Sequence, residues 1–593
     1  MQSRLATCAL FLLVLGVVAL IYWPLSKADF VWDDIICLRD PAWLRQGDAW
    51  KHYVFRDFCD WTNYFRPLAV GLFVVEVRLF DVAPGPMHLV SLALHVLNTL
   101  LVGFLVIAAD APSQIERRTL MLAAVAMTLY GLHPALVEPV AWISSQTELL
   151  LTCFILLGLL LNRVIRHHLA RAVLVASCFF LGACAKESAV AFPLVLFLFD
   201  WIDPRYTLGR HTVLREILGK QLAVYAAVFV AGVAYLGLRW GALGHLVDPH
   251  IDAEALPPLL ARLQEACFAY LTYWRILLWP AFDLGPMHVV NMDQFVTVDA
   301  FAIAIDALSM LVCAIGIWFL RKRHPIGSIV LCVTVVLLPA LHILPVAFDA
   351  SLYHARYAMT AVALVCILAT KMAIDSPLSL RPWRAALATV FLAWLGMAIV
   401  NIRVTLPLWA DETHLWQWEL RTNPKSVPAK ASLLAIYMKQ GNRPGAHAML
   451  TALTPDIASC PSCLLDAAYL ALAEGDLQQA GAMLDTLRND SRLTQSPRLL
   501  HTFIEVNALL LEAQNDLPRA EEAYRDAINV DPLEPVAQMR LAILLWHEGK
   551  REEAQRTAEL AVLLFPPDVR DVRRHELRQV FGGVAGDRQA PTQ

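Results

Sequence analysis

Residues 5–23 read LATCALFLLVLGVVALIYW, and PLSKADFVWDD follows directly at 24–34. The first stretch is apolar throughout and has roughly the 20 residues that an α-helix needs to cross the hydrocarbon core of a bilayer. Of the 593 residues, 58% are hydrophobic and only 17% are charged, a composition that soluble chains of this length rarely have. We therefore predict an integral membrane protein. The formal net charge of −4 gives no reason to expect a nucleic-acid partner.

The first apolar segment also has some features of a secretory signal, because Arg4 precedes it. However, Pro24 and Lys27 stand where a signal peptidase requires small residues. We therefore expect an uncleaved membrane anchor.

Apolar runs alternate with short polar connections up to about residue 405, and the chain beyond is polar with helical periodicity. The predicted fold class is all-α, with about 11 transmembrane helices followed by a helical repeat domain. The spans are expected near 5–23, 87–109, 119–133, 139–161, 171–185, 188–202, 219–238, 299–320, 327–346, 357–374 and 384–405.

Basic residues fall on every second connection of this arrangement, which places those connections in the cytoplasm by the positive-inside rule. They are Arg117 and Arg118, the stretch 162–171, Arg205, Arg210 and Arg215, the stretch 321–323, and Arg381 and Arg384. The N-terminus is then cytoplasmic. The outer, periplasmic side of an inner membrane is then expected to contain 24–86, 134–138, 186–187, 239–298, 347–356 and everything after 405.

Three stretches are apolar but unsuited to a simple crossing. Residues 262–280 and 66–80 are expected to be interfacial or re-entrant, because a full crossing at 262–280 would break the alternation of charge. Residues 171–202 are short for two spans. We therefore expect the turn at 185–188 to lie below the membrane surface.

The C-terminal part contains a repeat of 34 residues. Three pairs of like residues are each 34 positions apart: Asn515 and Gly549, Ala520 and Ala554, and Pro532 and Pro566. This is the tetratricopeptide period, which predicts stacked helix pairs that form a binding surface for a peptide or protein partner. The predicted domains are a transmembrane domain at 1–405 with outer loops 24–86 and 239–298, a linker at 406–426, repeats at 427–568 and a tail at 569–593.

Four of the twelve cysteines lie outside the apolar segments: Cys37 and Cys59 in the first outer loop, and Cys460 and Cys463 in the repeats. An oxidising compartment permits disulfides. The CxxC spacing is a weak redox signal on a helical repeat, since thioredoxin-type sites lie where a strand meets a helix. We expect a structural disulfide or free thiols there.

Many ionisable residues are predicted on the outer side, where they point to one polar cavity at the membrane interface. Taken singly, each also fits a structural role such as snorkelling, helix capping or a local ion pair. The candidate residues are Asp33, Asp34, Arg66, His88, His133, Glu138, Lys186, Glu187, Tyr353, His354 and Arg356.

A helix at 87–109 would present His88, Ser91, His95 and Asn98 on one stripe, because they are spaced by three or four residues. They are candidates for the wall of the cavity. A polar seam packed between helices would explain them equally well.

The order of motifs resembles the transmembrane-and-TPR-repeat-containing O-mannosyltransferases of the GT-C glycosyltransferase superfamily. The motifs are FVWDD (30–34), YFRPL (64–68), HLVSLALHVLN (88–98), LHPALVEPVAWISSQTELL (132–150), AKE (185–187), ARY (355–357) and LWADETHLWQ (408–417). Two motifs depart from the family pattern: Gln146 stands where a basic residue is expected, and the ARY segment, here His354-Ala355-Arg356-Tyr357, lacks the usual preceding acidic residue.

The resemblance implies transfer of a sugar from a polyprenyl-phosphate carrier to Ser or Thr of an extracytoplasmic protein. Arg66, Lys186 and Arg356 would bind the donor phosphate. Asp33 or Asp34 would be the base, with Asp33 favoured, and Glu138 would hold the acceptor or orient a cation. The cavity would be lined by His88, His95, His133, Glu148, Glu187, Tyr353 and His354. Paired aspartates can bind Mg²⁺ or Mn²⁺, although the family implies that no metal is needed.

Two other functions remain open at this point. One is transfer onto a lipid or a cell-wall glycan, and the other is a membrane-anchored scaffold without catalysis. A transporter is disfavoured because the membrane part contains no evident internal repeat.

Overall fold

The computed structural model describes residues 2–56, 63–110, 116–203, 205–206, 213–246, 258–280, 284–288, 295–296, 298–343, 351–375 and 384–586. Of these residues, 83% are helical and none forms a strand. The predicted all-α class is confirmed for this part of the chain. Cys59, Arg210 and Arg381, which entered the predictions above, lie outside the described residues, as do 344–350 and 587–593.

The helices are numbered in chain order. Those before residue 406 are α1 (Gln2–Tyr22), α2 (Trp50–Phe55), α3 (Pro67–Phe80), α4 (Pro84–Asp110), α5 (Arg117–Gly131), α6 (Val137–Ala141), α7 (Gln146–Val164), α8 (His168–Ala185), α9 (Phe192–Ile202), α10 (Val213–Leu243), α11 (Leu259–Leu278), α12 (Ala300–Arg321), α13 (Pro325–Leu337), α14 (Met359–Asp375) and α15 (Arg384–Thr405). The later helices are α16 (Glu412–Thr422), α17 (Val427–Lys439), α18 (Arg443–Leu453), α19 (Pro461–Glu474), α20 (Leu477–Leu487), α21 (Ser491–Gln495), α22 (Pro497–Ala513), α23 (Leu517–Val530), α24 (Pro535–His547), α25 (Arg551–Leu564) and α26 (Pro567–Gly586).

Within the described residues, eight helical segments are long and apolar enough to cross a membrane. They are Cys8–Lys27, Pro84–Ala108, Ile143–Val164, His168–Ala185, Val213–Leu243, Ala300–Arg321, Ala355–Ile374 and Ala385–Trp409. A ninth forms if α5 and α6, bent by 53°, make one broken span. The other two predicted spans fall on shorter apolar helices, α9 with 11 residues and the stretch Pro325–Ala340. The membrane class is thus supported, whereas the number of eleven spans remains a prediction.

The apolar helices differ in how deeply they are buried. In α7 and in the span that contains α14, 67% of the hydrophobic window is buried, against 11% in α12 and in the span that contains α15. The poorly buried helices expose large apolar side chains, such as Phe229 on α10 (71% exposed) and Val390 on α15 (67%). Such surfaces suit contact with lipid, because a helix satisfies its own backbone hydrogen bonds. The buried helices α4, α7 and α14 pack against one another inside the set of apolar helices.

The chain divides into two compact units, each described here by itself. The membrane unit contains residues 1–31, 53–72 and 84–415, and the C-terminal unit contains 32–52, 73–83 and 416–593. This division differs from the predicted domains, which assigned all of 24–86 to the transmembrane part. The expected linker contains α16, and the expected tail contains most of α26.

The C-terminal unit consists largely of helix pairs. Helices α17 and α18, α19 and α20, α22 and α23, and α24 and α25 each pack against one another. All four pairs lie within 427–568, the range in which the 34-residue repeat was predicted. The short segment 32–52 belongs to the same unit, where Arg39 forms an ion pair of 2.6 Å with Asp568 and Arg45 donates to the carbonyl of Leu564 at 2.9 Å.

The repeated residues explain the turn within each helix pair. Gly441, Gly475, Asn515 and Gly549 all have a positive φ, between 64° and 85°. That left-handed conformation favours Gly or Asn and ends the first helix of each pair. In three pairs the next residue caps the second helix: the side chains of Asn442, Asp476 and Asp516 accept from backbone N–H groups three residues ahead. Each repeat therefore contains a local sequence signal for the turn between its two helices.

Small residues explain how closely the two helices of a pair approach. Ala446, Ala480, Ala520 and Ala554, each five residues after the turn residue, are all fully buried. Interiors are packed to the density of crystals, so a larger side chain at these positions has no room.

We therefore expect Ala480→Leu to lower the local stability of α19 and α20 by about 1–3 kcal/mol, because overpacking forces the helices apart. Ala482→Leu is the matched control, since Ala482 is exposed on the same helix and surface changes typically have effects within about 0.5 kcal/mol. Hydrogen exchange of both helices, measured by mass spectrometry on the detergent-solubilised chain, reports the opening free energy. Equal effects of the two substitutions would contradict this packing.

Candidate functional site

The first part of the site lies at the bend between α5 and α6. Pro134 follows the end of α5, and the chain turns before α6 begins, which places Glu138 in the first turn of α6. Its carboxylate accepts from the backbone N–H of Arg356 (3.0 Å to Oε2) and from Nη1 of the same residue (2.6 Å to Oε1). Nδ1 of His354 lies 3.6 Å from Oε1. Both partners are buried, with Glu138 2% and Arg356 8% exposed.

A second ion pair forms where α8 ends. Lys186 follows the last residue of α8 in an extended conformation, and its Nζ contacts Oε1 of Glu148 in the first turn of α7. Both side chains are buried. Burial lowers the pKa of Lys186 to about 8; Glu148 opposes this shift, and the charges of Arg66 and Arg356 add to it.

A third group of charges surrounds Glu187. Its carboxylate accepts from Nε of Arg66 at 2.9 Å, from the backbone N–H of Phe65 at 3.1 Å and from Nη1 of Arg239 at 3.4 Å. Arg239 also donates to the carbonyl of Asn63 at 3.0 Å. Glu187 is the more open of the acidic residues, with 29% of its side chain exposed.

Arg239 was missed by the sequence reasoning. It lies near the end of α10, where it was taken as the first residue of an outer loop. The sequence did contain a signal for Arg239, because a basic residue at the outer end of a span is an exception to the positive-inside pattern.

Tyr357 joins the first two ion pairs. The Lys186 ammonium lies 4.5 Å from the centre of the Tyr357 ring, and the Arg356 guanidinium lies 4.7 Å from it. Arg356 also donates to the Tyr357 hydroxyl at 3.2 Å and lies 4.7 Å from the Trp142 ring. Aromatic faces stabilise cations, more so where water is excluded.

We name these residues the charged cluster of the membrane unit. It contains four cations and three carboxylates, a formal charge of +1: Arg66, Lys186, Arg239 and Arg356 with Glu138, Glu148 and Glu187. A narrow cleft adjoins it, lined by Glu148, Ser188, Tyr357 and Thr360 together with apolar residues of α7 and α13. The guanidinium groups of Arg66, Arg239 and Arg356 are of the kind that makes bidentate contacts with carboxylates and phosphates.

Two further predicted residues lie next to the cluster. His354 contacts Glu138, as described above, and its Nδ1 is also 3.1 Å from the carbonyl of Pro286. The Tyr353 ring stacks on His288 with ring centres 3.8 Å apart. His288 was not among the predicted residues.

The predicted stripe on α4 is placed differently. Its four members are completely buried, and three bond to the backbone of neighbouring segments: His88 to Asp29 (3.2 Å), His95 to Gly131 (2.9 Å) and Asn98 to Leu149 (2.9 Å). Ser91 accepts from Gln146 at 3.2 Å. These contacts match the polar seam between helices, the second of the two readings offered for the stripe. Gln146 likewise faces α4.

His133 caps the turn after α5 and its Nε2 lies 3.3 Å from the carbonyl of Leu277. It therefore fixes the bend that positions Glu138, and no contact described here joins it to the cluster.

Asp33 and Asp34 belong to the C-terminal unit. Asp34 is completely buried and Asp33 is partly exposed. Trp32 precedes them with a φ of 54°, a left-handed conformation that is costly for a bulky residue, and its ring meets Trp416 edge to face. The acidic pair is thus held in a strained turn.

Among the described residues, one group could hold a metal ion: ligand atoms of His501, Glu505 and Glu534 lie within 4.8 Å of one another. All three lie in the C-terminal unit, and none was a predicted site residue.

The ion pair of Glu138 and Arg356 gives a direct test of the cluster. We expect Glu138→Gln to destabilise the membrane unit by about 3–5 kcal/mol, because it leaves a buried guanidinium without a counter-charge. Glu116→Gln is the comparison, at a cost of about 0.5 kcal/mol or less, since Glu116 is exposed before α5 and its side chain caps no helix N–H. Thermal unfolding of the detergent-solubilised variants measures both. Similar losses for the two variants would contradict the burial described here.

No model of a known protein family matches the chain, and no curated protein is significantly similar to it.

Proposed function

We propose that the protein is a membrane glycosyltransferase that transfers a sugar from a polyprenyl-phosphate carrier to Ser or Thr of an extracytoplasmic protein. The observation that carries the proposal is the charged cluster, a buried group with one excess positive charge inside a unit of apolar helices. A carrier of this class combines an anionic phosphate with a long apolar chain. The cluster and the apolar surfaces around it offer both environments.

The phosphate is the leaving group of this reaction, so negative charge grows on it as the sugar departs. Fixed cations in a site that excludes water stabilise that charge strongly. Arg66 and Arg239 flank the most exposed carboxylate, Glu187, and are the cations that an incoming phosphate meets first. Lys186 and Arg356 are paired with the two more deeply buried carboxylates, Glu148 and Glu138.

The acceptor hydroxyl needs a base as it attacks the sugar. The resemblance described above favours Asp33. Its partial exposure supports this choice over the completely buried Asp34, because a base must reach the proton that it removes. Asp34 would then have a supporting role in the turn.

The helix pairs of the C-terminal unit are proposed to be tetratricopeptide repeats that bind the protein acceptor or a partner. The 34-residue period, the left-handed turn residues and the buried alanines support this. With eleven spans and a cytoplasmic N-terminus, this unit would be periplasmic, on the side where such a carrier presents its sugar.

A scaffold without catalysis is the second candidate. The observation in its favour is that every cation of the cluster has a carboxylate partner. A network in which every cation is paired can serve packing alone. Transfer to a lipid or cell-wall glycan differs only in the acceptor, and the cluster does not discriminate between the two acceptors.

Substitution of the acidic pair tests catalysis. We expect Asp33→Asn to reduce glycosylation of envelope proteins by about 10²–10⁴-fold at normal protein levels, because the general base is lost. Asp34→Asn is expected to lower the amount of folded protein instead. Asp48→Asn, an exposed aspartate of the same segment, is the matched control. Mass spectrometry of the glycans measures all three, and unchanged glycans in the Asp33 variant would favour the scaffold.

Donor binding should depend on pH through Lys186. With a pKa of about 8, this residue is largely charged at pH 7 and loses its proton as the pH rises to 9. We expect affinity for a short-chain polyprenyl phosphate to fall over that interval in the wild type. Lys186→Arg keeps its charge throughout and should remove the dependence. A wild-type affinity that is flat from pH 7 to 9 would contradict a phosphate contact at Lys186.

A further inference from the structure

The cysteine pair at the start of α19 is arranged unlike a simple structural crosslink. Cys460 and Cys463 form a disulfide across a sequence separation of only three. In the entropic account, a disulfide stabilises a protein by restricting the unfolded chain, and it does so least when the closed loop is short. This disulfide therefore contributes little to stability by that route.

The two sulfurs have very different surroundings. Cys463 is completely buried and packs in a cluster with Leu434, Ala446, Leu453 and Leu470. Cys460 lies at the edge of this cluster and is partly exposed. An attacking thiolate can thus reach one sulfur and not the other.

Cys460, the less buried of the two cysteines, occupies the N-cap of the 14-residue helix α19. Its Sγ accepts a hydrogen bond from the backbone N–H of Cys463 at 3.3 Å, and the hydroxyl of Ser462 lies 3.4 Å away. The positive end of a helix dipole and such donors stabilise a thiolate more than a thiol, and a thiolate is the reactive form of cysteine.

A cation holds the loop that precedes Cys460. Arg492 donates to the carbonyls of Ser459 (2.8 Å) and Ala458 (3.1 Å). Its guanidinium is also paired with Asp490 at 2.6 Å. Arg492 therefore acts on Cys460 by fixing the approach to the helix, and its charge is largely offset by Asp490. No strand precedes this CxxC pair, unlike a thioredoxin-type site, but the N-terminus of α19 supplies the electrostatic part of such a site.

We propose that Cys460 and Cys463 form a redox-active pair that exchanges electrons with the cysteine pair of a partner protein. A thiolate of the partner attacks Sγ of Cys460, the bond between Cys460 and Cys463 breaks, and its electron pair goes to Cys463, which takes up a proton. The partner's second thiolate then attacks its own sulfur in the mixed disulfide and releases Cys460 as a thiolate. Two electrons have passed: the partner dithiol is oxidised to a disulfide, and the cysteine pair is reduced.

Alkylation kinetics test the proposal on the full chain in detergent. In Cys463→Ala, which keeps a small apolar side chain in the buried position, we expect Cys460 to react with iodoacetamide at pH 7 roughly tenfold faster than in the same chain unfolded in urea. Mass spectrometry of the peptide that contains residue 460 separates this thiol from the other cysteines. In Cys460→Ala, Cys463 should stay unreactive until the chain is unfolded.

Arg492→Gln is the matched test of positioning and should slow Cys460 while leaving α19 folded by hydrogen exchange. The wild-type disulfide is equilibrated in parallel with glutathione buffers of varying ratio, and half-reduction within that series is expected. A Cys460 that reacts no faster in the folded than in the unfolded chain would overturn the proposal. So would a disulfide that remains fully oxidised at every glutathione ratio, since that is the behaviour of a structural crosslink.

Discussion

A charged side chain inside an apolar helical unit is stable only where an opposite charge and hydrogen bonds replace the water that it has lost. This constraint organises the membrane unit. The carboxylate of Glu138 is matched by both the guanidinium and the backbone N–H of Arg356, and Glu187 is matched by two arginines and the backbone N–H of Phe65. Without these partners, each charge would have to be neutralised or moved into water.

The partners meet because the helices are interrupted at the same places. Glu138 follows the bend after α5, Lys186 and Glu187 lie between α8 and α9, and Arg356 lies in the helical turn before α14. Arg66 directly precedes α3. Side chains at such helix ends can point away from the lipid-facing surface of the helix. Backbone N–H groups at the ends have no partner within the helix, so they can donate hydrogen bonds to the carboxylates. The interruptions are therefore a condition for the charged cluster, whichever function it serves.

The C-terminal unit is built on a different constraint, the short turn within each helix pair. A residue in the left-handed region ends one helix, and in three of the four pairs a capping side chain starts the next. Buried alanines then allow the pair to close. The enzyme and the scaffold readings share this architecture. They differ in whether the charged cluster acts on a phosphate, and the redox pair at Cys460 and Cys463 is compatible with either reading.

The helical class, the apolar spans and the turns of the repeat followed from the sequence, because each is encoded over a few neighbouring residues: unbroken apolar runs, or a Gly or Asn followed by a cap. The sequence also indicated the members of the charged cluster except Arg239. It could not decide how they pair, since Glu138 and Arg356 are 218 residues apart. Only the tertiary structure separated the polar seam of α4 from the cluster and placed Asp33 and Asp34 with the C-terminal unit. Those distinctions depend on which helices pack together, and no local pattern specifies that.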